Sequence, residues 1–333
     1  MSRHIIPIFV PHKGCPHDCI FCNQKKISGC LQAPTEEQVH QSIQRHLLTH
    51  NKDELEIAFF GGSFTGIPIE EQEQYLKVAT AYRAQYPQLQ IRASTRPDCI
   101  TPNVIALLQQ YHVNIIELGV QSMDDNVLLA SGRGHTAEDV RIAVKRLKDA
   151  GITVGIQTMI GLPRDTKEGA LQTAKEVIAL QPAMVRIYPT LVIADTALEQ
   201  LYIKGTYRPL PLEEAVALSA ELMDLYETAN IPVIRVGLQA TEQMDSQVVA
   251  GPYHPAFRQL ANGRRAYQEM ARLLEQGGGK SDKMELRLDA QTKTAFVSSA
   301  EFSPSDVIGQ KGCNKKRVEE VYGYQLQVVA FFP

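Results

Sequence analysis

The chain is predicted to be an α/β protein, a parallel sheet covered by helices, followed by a small α+β unit. Three observations predict this. Short apolar runs rich in β-branched residues recur, stretches with helical periodicity and cap signals separate them, and near residue 256 the alternation gives way to a different element order. Strands are expected at 4–10 (HIIPIFV), 55–60 (LEIAFF), 89–95 (LQIRAST), 114–120 (NIIELGV), 152–160 (ITVGIQTMI) and 183–189 (AMVRIYP). Six nearly continuous apolar strands joined by helices describe either an open doubly wound sheet or a barrel-like array. No GxGxxG follows the first strand, so nothing favours a dinucleotide fold.

The connecting helices announce themselves by their caps. Thr35 with Gln38 makes a capping box, and Val39, Ile43 and Leu47 recur every four residues on one face. Thr136 opens a second helix in TAEDVRIAVKRLKDAG, where Val140, Val144 and Leu147 face one way and Gly151 supplies the stop. The helix PLEEAVALSAELMDLYETAN and the strand IPVIRVGLQ (231–239) extend the scaffold. Beyond AGPYHPAFRQL comes a helix over 262–276, the linker QGGGKSDK, strands MELRLD and KTAFVSS, a short helix, IGQKG, a helix and the strand YQLQVVAFF. This α-β-β-α-α-β tail divides the chain into 1–255 and 256–333.

Composition adds mostly exclusions. With 333 residues, 44% hydrophobic and 21% charged, the chain can bury a sizeable core. A net charge of −3 gives no global basic field, so nucleic-acid contact would need a local patch. The N-terminal apolar run is about seven residues long and broken by Pro7, too short for a membrane span or a signal core. A cytoplasmic protein without membrane contact is expected.

In a parallel αβ array ligands gather at the C-terminal ends of the strands, where loops vary over a fixed scaffold. Strand one runs into Cys15, Cys19 and Cys22, strand two into Gly61, Gly62 and Ser63, strand three into Thr95 and Arg96, and strand four into Gln121; strand five carries Gln157 and strand six Arg186. Three thiols spaced C-x3-C-x2-C converge on one point and can hold three corners of a metal centre. Structural zinc would need a matched second pair, and His12, His17 and Cys30 are only stray candidates. A four-iron cluster held by three cysteines leaves one iron open to a ligand. Cys30, Cys99 and Cys313 are scattered and read as indifferent residues.

C-x3-C-x2-C after the first strand and Gly-Gly after the second resemble the radical S-adenosylmethionine superfamily. The resemblance implies a partial (β/α)6 TIM-like barrel in which Cys15, Cys19 and Cys22 ligate a [4Fe-4S] cluster. The open iron would chelate S-adenosylmethionine, and an electron from a donor such as a flavodoxin or ferredoxin would release a 5'-deoxyadenosyl radical. Phe21 matches the aromatic that packs against the cofactor. Gly61 and Gly62 would let backbone meet its amino group, with Ser63 and Thr95 beside them. Arg96 and Arg186 are candidate carboxylate clamps, and Gln121 and Gln157 candidate partners of the ribose.

Longer strings narrow the match: FFGGSFTGIP, STRPDCI, IELGVQSMDDNVL, RGHT, IGLP and VRIYPTLVIADTALEQLY together resemble the radical domain of Elongator protein 3 over roughly residues 5–210. This implies an enzyme acting on RNA, and on tRNA in particular. That family joins its radical domain to an acetyltransferase domain, but no Q/R-x-x-G-x-G/A loop is found here, and STRPD has Ser94 where the family is expected to carry Glu. The tail's VIGQKGCNKKRV instead resembles the GxxG loop of a type II KH domain, an RNA-clamping module. Gly309, Gln310, Lys311, Gly312, Lys315, Lys316 and Arg317 are its candidate RNA-binding residues. The competing readings are radical chemistry on a small molecule such as a porphyrinogen, and a non-catalytic cluster- or zinc-bearing RNA-binding protein.

Overall fold

The computed structural model describes residues 4–10, 15, 19–23, 33–49, 54–238 and 246–330. Six strands, β1 (His4–Val10), β2 (Leu55–Gly61), β3 (Gln90–Thr95), β4 (Ile115–Gln121), β5 (Thr153–Ile160) and β6 (Met184–Pro189), lie in chain order in one parallel sheet. Their bounds fall within a residue of the apolar runs that predicted them. β7 (Val192–Ile193) leaves the sheet to pair antiparallel with β9 (Val248–Ala250), while β8 (Val233–Val236) adds a seventh parallel strand beside β6. The sheet curls into a half-barrel with β1 and β8 as its edges, the partial barrel expected from the sequence.

Helices cover the convex face. In α1 (Glu36–Thr49) the predicted box is closed in both directions: the Thr35 N–H donates to Gln38 Oε1 at 2.8 Å and the Gln38 N–H to Thr35 Oγ1 at 3.3 Å. Its Val39, Ile43 and Leu47 are buried in the cluster that holds Ile6, Ile8 and Val10 of β1. Each such side chain contributes roughly 1.5–3 kcal/mol on full burial. The alternate β1 residues Ile5 and Phe9 are left exposed on the concave side. The array continues with α2 (Ile69–Ala81), α3 (Pro102–Gln110), α4 (Asp125–Ala130), α5 (Ala137–Asp149), α6 (Lys167–Ala179), α7 (Ala197–Ile203) and α8 (Leu212–Thr228). Thr136 and Asp139 cap α5 reciprocally, and its Val140, Val144 and Leu147 are buried as their spacing required.

The tail begins with α9 (Phe257–Glu275), five residues earlier than periodicity placed it. Its N-cap, Ala256, makes no side-chain cap bond, so the sequence carries no start signal there. The helix also serves two cores: Phe257 and Ala261 pack into the barrel cluster, and Ala266, Tyr267, Met270 and Leu273 into a second one. The expected division at 255/256 therefore falls just before a helix shared by both cores. Strands β10 (Gly279–Lys280), β11 (Met284–Asp289), β12 (Thr294–Ser299) and β13 (Gln325–Val328) form a mixed sheet, β11 antiparallel and β13 parallel to β12. The helices α10 (Pro304–Ile308) and α11 (Cys313–Tyr322) lie between β12 and β13 in sequence, which gives the predicted α-β-β-α-α-β order apart from the two-residue β10. Arg265 of α9 pairs with Asp224 and Glu227 of α8 and with Glu301, and ties the tail to the barrel.

Candidate active site at the C-terminal ends of the strands

A cavity of about 190 Å³ opens where the cysteine segment that follows β1 meets the C-terminal halves of β2, β3, β4 and β5. Cys15, Cys19, Phe21, Cys22, Gly61, Gly62, Thr95, Arg96, Gln121 and Gln157 line it, so ten of the twelve residues proposed for the cluster and cofactor come together. The cysteine segment is fixed by backbone: Ile20 N–H donates to Ser131 O at 3.1 Å, and Leu198 N–H to Ile20 O at 2.8 Å. Phe21 does two things at once. It lines the cavity and packs with Ile20 against Val192, Leu198 and Tyr207. Burial pushes the Cys15 thiol up, with a further rise from Cys19, against which Arg96 and Arg133 act.

Gly61 has φ +118°, and a Cβ there would stand 2.7 Å from Val10 O, so no other residue fits this crossing of β2 over the end of β1. The neighbouring Gly62 N–H is used on the same Val10 carbonyl at 3.1 Å. Ser63 lies outside the cavity lining. Its hydroxyl is buried and bonded to Thr95 Oγ1 at 2.7 Å, and accepts the Arg96 N–H at 3.2 Å, which locks the end of β2 to the end of β3. Gln157 Nε2 donates to Gln121 Oε1 at 3.3 Å, a pair of amides on neighbouring strands.

Two arginines differ from expectation. Arg96 pairs through Nε with Asp98 at 3.0 Å and donates from Nη2 to the Arg133 carbonyl; burial opposes its charge, but the Asp98 carboxylate raises its pKa above the ordinary value. Arg186 does not line the cavity. It reaches across the concave face to Glu117 Oε1 at 2.8 Å, and its guanidinium carbon lies 5.9 Å from the Phe60 ring centre. Arg92 of β3 binds the same Glu117 oxygen and also Glu56, whose Oε1 is 2.7 Å from Arg92 Nε. Glu117 lines the cavity and is thereby paired twice.

Ser94, Glu117, Gly119 and Arg133 line the cavity without having been singled out as site residues. Arg133 is the important addition. Only 6% exposed, it donates from Nη1 to Cys19 Sγ at 3.2 Å and from Nη2 to the Gly119 carbonyl, while Nε has no partner. No carboxylate ion pair to it occurs among the described residues. A buried guanidinium without a counter-ion is costly unless an anion is meant to meet it. The available signal was a cation set between two glycines in SGRGHT. His135, two residues on, is buried with Nε2 3.2 Å from Val120 O; burial, then Arg133 and Arg96, bring its pKa down from 6.5 to about 4. Cys99, distant in sequence, comes close enough to Cys15 to affect its titration. Cys30, His12 and His17 lie outside the described residues.

Among the described residues no three His, Cys, Asp or Glu side chains close on one point, so the thiols line a shared wall without forming a single-ion site. A cubane takes one thiolate at each of three corners, and such a spread donor set fits it better than it fits tetrahedral zinc.

In the tail, Gly309, Gln310, Lys311 and Gly312 form the turn between α10 and α11, with φ of 75° at Gly309, 54° at Lys311 and 73° at Gly312. A Cβ at Gly309 would sit 2.6 Å from Cys313 Sγ and 2.9 Å from the Asn314 nitrogen, a close approach that requires glycine. Lys311, Lys315 and Lys316 are exposed, and no ion pair to them occurs among the described residues; Arg317 lies over the Tyr267 ring, 4.5 Å from its centre. Gln310 is 3.3 Å from the His254 ring.

Parallel half-barrel, strand-end cavity and thiol triad together define a cofactor-dependent α/β enzyme, and the comparisons name its class. Residues 9–177 match the Radical SAM superfamily and residues 182–269 the Radical_SAM C-terminal domain: the chain belongs to the radical SAM superfamily. It is 30% identical to an uncharacterised protein of Methanocaldococcus jannaschii over 63% of this chain and 68% of that one. It is also 30% identical to a tRNA uridine(34) acetyltransferase of Methanocaldococcus infernus, over 50% of this chain and 35% of the relative, and 27% identical to Elongator complex protein 3 of Homo sapiens, over 68% and 44%. The chain thus spans about a third of that acetyltransferase and under half of that Elongator complex protein 3. The archaeal Methanocaldococcus infernus Elp3 structure superposes with a TM-score of 0.63 at 22% identity, over 82% of this chain and 64% of that one. Coproporphyrinogen III oxidase (HemN) of Escherichia coli gives 0.52 at 20%, over 68% and 53%, and likewise shares the fold. No described helix is long and apolar enough to cross a membrane.

Proposed function

We propose that this chain is a radical S-adenosylmethionine enzyme whose substrate is RNA, and specifically tRNA. The observation that carries the first half is the meeting of Cys15, Cys19, Cys22, the Gly61–Gly62 crossing and the uncompensated Arg133 in one cavity. Cys15, Cys19 and Cys22 would hold a [4Fe-4S] cluster, and with S-adenosylmethionine bound it supplies one-electron cleavage of the sulfonium to a 5'-deoxyadenosyl radical. Backbone at Gly61 and Gly62 receives the cofactor's amino group. Arg133, the buried cation without a carboxylate, pairs with its carboxylate, the part first assigned to Arg96 and Arg186. Gln121 and Gln157 offer amides to the ribose hydroxyls, and Phe21 shields the loop from water. An electron donor such as a flavodoxin or ferredoxin is required.

RNA as substrate is supported by the relatives' names and by the tail. The GxxG turn of Gly309, Gln310, Lys311 and Gly312 leads into the N-terminus of α11, where backbone N–H groups favour a phosphate; Lys311 is exposed, Gln310 and Gly312 are half-buried and Gly309 is buried. Lys315, Lys316 and Arg317 add positive charge along the same helix.

The test is anaerobic reconstitution with iron and sulfide, reduction with S-adenosylmethionine, and chromatography for 5'-deoxyadenosine with and without bulk tRNA. Product that rises with tRNA is expected. A loaded, reducible cluster that yields none under either condition would sink the enzyme reading, and product indifferent to tRNA would sink the RNA half.

A further inference from the structure

A second cleft, of about 480 Å³, opens beside the cysteine segment, with Ala130, Gly161, Arg164, Leu201, Tyr207 and Arg208 in its walls. Three contacts put it there. Tyr207, whose hydroxyl donates to Gly161 O at 2.7 Å, packs its ring in the cluster that also holds Ile20 and Phe21. Ser131, next to Ala130, accepts the Ile20 N–H at 3.1 Å, and the Leu198 N–H, three residues before Leu201, donates to Ile20 O at 2.8 Å. Tyr207 is thus shared by the cleft and by the two residues between Cys19 and Cys22. The rim of the cleft is both apolar and cationic. Leu129, beside Ala130, is 78% exposed, and Ile203, between the wall residues Leu201 and Thr206, is 66% exposed. Lys204 follows Ile203, and Arg164 and Arg208 stand in the walls; all three are exposed, and their side chains make no ion pair or hydrogen bond among the described residues. Asp165 is the one carboxylate of the walls, and its Oδ2 accepts the Gly161 N–H at 2.9 Å.

We infer that this face docks the acidic protein that reduces the cluster, a flavin carrier of the flavodoxin kind. This rests on the radical S-adenosylmethionine reading above and assigns the surface for the electron donor that reading requires. One electron passes from the reduced flavin to the oxidised cluster, and no bond is made or broken. Charge complementarity names the partner: three unanswered cations attract a carboxylate-rich face and hold it in register. Exposed apolar side chains inside a polar rim mark a protein contact, and the apolar edge of a flavin ring framed by carboxylates is their complement. RNA would use the cations but leave the aliphatic Leu129 and Ile203 without a partner; of the rim residues only Tyr202, 38% exposed, offers a ring to a base. Position favours the same partner, since the patch borders the segment that carries Cys19 and Cys22, whereas the GxxG turn lies between α10 and α11 of the tail.

The test uses the full-length chain reconstituted with iron and sulfide, and two double variants of equal charge: Lys204→Glu with Arg208→Glu at the cleft, and Lys315→Glu with Lys316→Glu in the tail. All four side chains are exposed. Affinities for an oxidised bacterial flavodoxin and for bulk tRNA are measured at low and high salt, and the rate of cluster bleaching by photoreduced flavodoxin is set beside the rate by dithionite. The cleft variant should bind flavodoxin about tenfold more weakly, lose most of the salt dependence and slow bleaching by flavodoxin by a similar factor. Its affinities for tRNA and S-adenosylmethionine and its bleaching by dithionite should not change. The tail variant should keep flavodoxin and lose tRNA. Equal losses of flavodoxin from both variants would reduce the effect to net charge, and a loss of tRNA from the cleft variant would give the patch to RNA. Unchanged flavodoxin binding by the cleft variant, or none by the natural chain, would remove the docking site; each of these results overturns the inference. A chain that loads no cluster, read as iron and sulfide content before any carrier is added, fails the radical reading and takes this inference with it.

Discussion

His135 offers a sharp physical test of how the cavity wall is built. Its ring is buried beside two guanidiniums, so the folded chain refuses a proton that the unfolded chain accepts at pH 6.5 and takes it up only near pH 4. Between these values the unfolded state binds more protons, and stability falls as the pH is lowered. A depression from 6.5 to about 4, at 1.36 kcal/mol per pH unit, amounts to about 3 kcal/mol across that window. Asp165 works in the opposite direction: burial lifts its pKa from 3.8 to about 6 against three backbone hydrogen bonds, so the folded state gains the proton first and stability rises on acidification. Its contribution is again about 3 kcal/mol. In the natural chain the two slopes offset each other. Urea unfolding of the cluster-free protein from pH 7.5 to 4 should therefore show His135→Gln growing more stable relative to the natural chain by about 3 kcal/mol toward acid, and Asp165→Asn growing less stable by a similar amount. Groups common to all three chains cancel in the differences. Parallel profiles for His135→Gln and the natural chain would refute the buried neutral imidazole.

Other perturbations address the cavity and the tail directly. Arg133→Met should weaken S-adenosylmethionine binding to the reconstituted protein by about ten- to a hundredfold in calorimetry, the worth of roughly 1.5–3 kcal/mol for a charge-assisted hydrogen bond; an unchanged affinity would return the carboxylate to another cation. Cys19→Ala should abolish cluster loading without unfolding the barrel, read as iron and sulfide content beside circular dichroism, and full iron content would remove Cys19 from the ligand set. Gly61→Ala places a Cβ 2.7 Å from Val10 O at φ +118° and should lower stability by about 1–3 kcal/mol in denaturant titration. Replacing Lys311 and Gly312 together with Asp should cut tRNA affinity about tenfold or more while leaving RNA-independent cofactor cleavage intact; unchanged affinity would end the KH-like reading.

The strands were legible because a strand buried on both faces must be apolar throughout, and the run ends where the burial ends. That the three thiols and the Gly61–Gly62 pair would line one cavity was legible, because each stands just after a strand and the ends of neighbouring parallel strands lie side by side. Arg133 was not, since its meaning depends on Cys19, which lies 114 residues away in sequence. Ser63 shows the converse failure: a hydroxyl in a functional loop looks like a contact, but here it is spent on Thr95 and the Arg96 backbone. Arg186 sits on the correct face of the correct strand, yet Glu117 captures it, and which of two arginines a carboxylate captures is a matter of three-dimensional distance. The start of α9 escaped notice because its first turns pack on one core and its later turns on another, so no single stripe runs through the helix.

Charge explains why these parts belong together. Of the ionic groups lining the cavity, Arg96 is answered by Asp98, and Glu117 by Arg92 and Arg186, which leaves Arg133 as the net cation among the described residues. Burial pushes the Cys15 thiol up, toward its neutral form. Metal binding requires thiolates and releases their protons, and an incoming carboxylate adds a further negative charge at the same place. Arg133 is thus the buried cation of the cavity wall to which no carboxylate pairs among the described residues. A carboxylate-bearing ligand bound at the thiols would meet that cation, and a zinc ion closed by its own protein ligands would not.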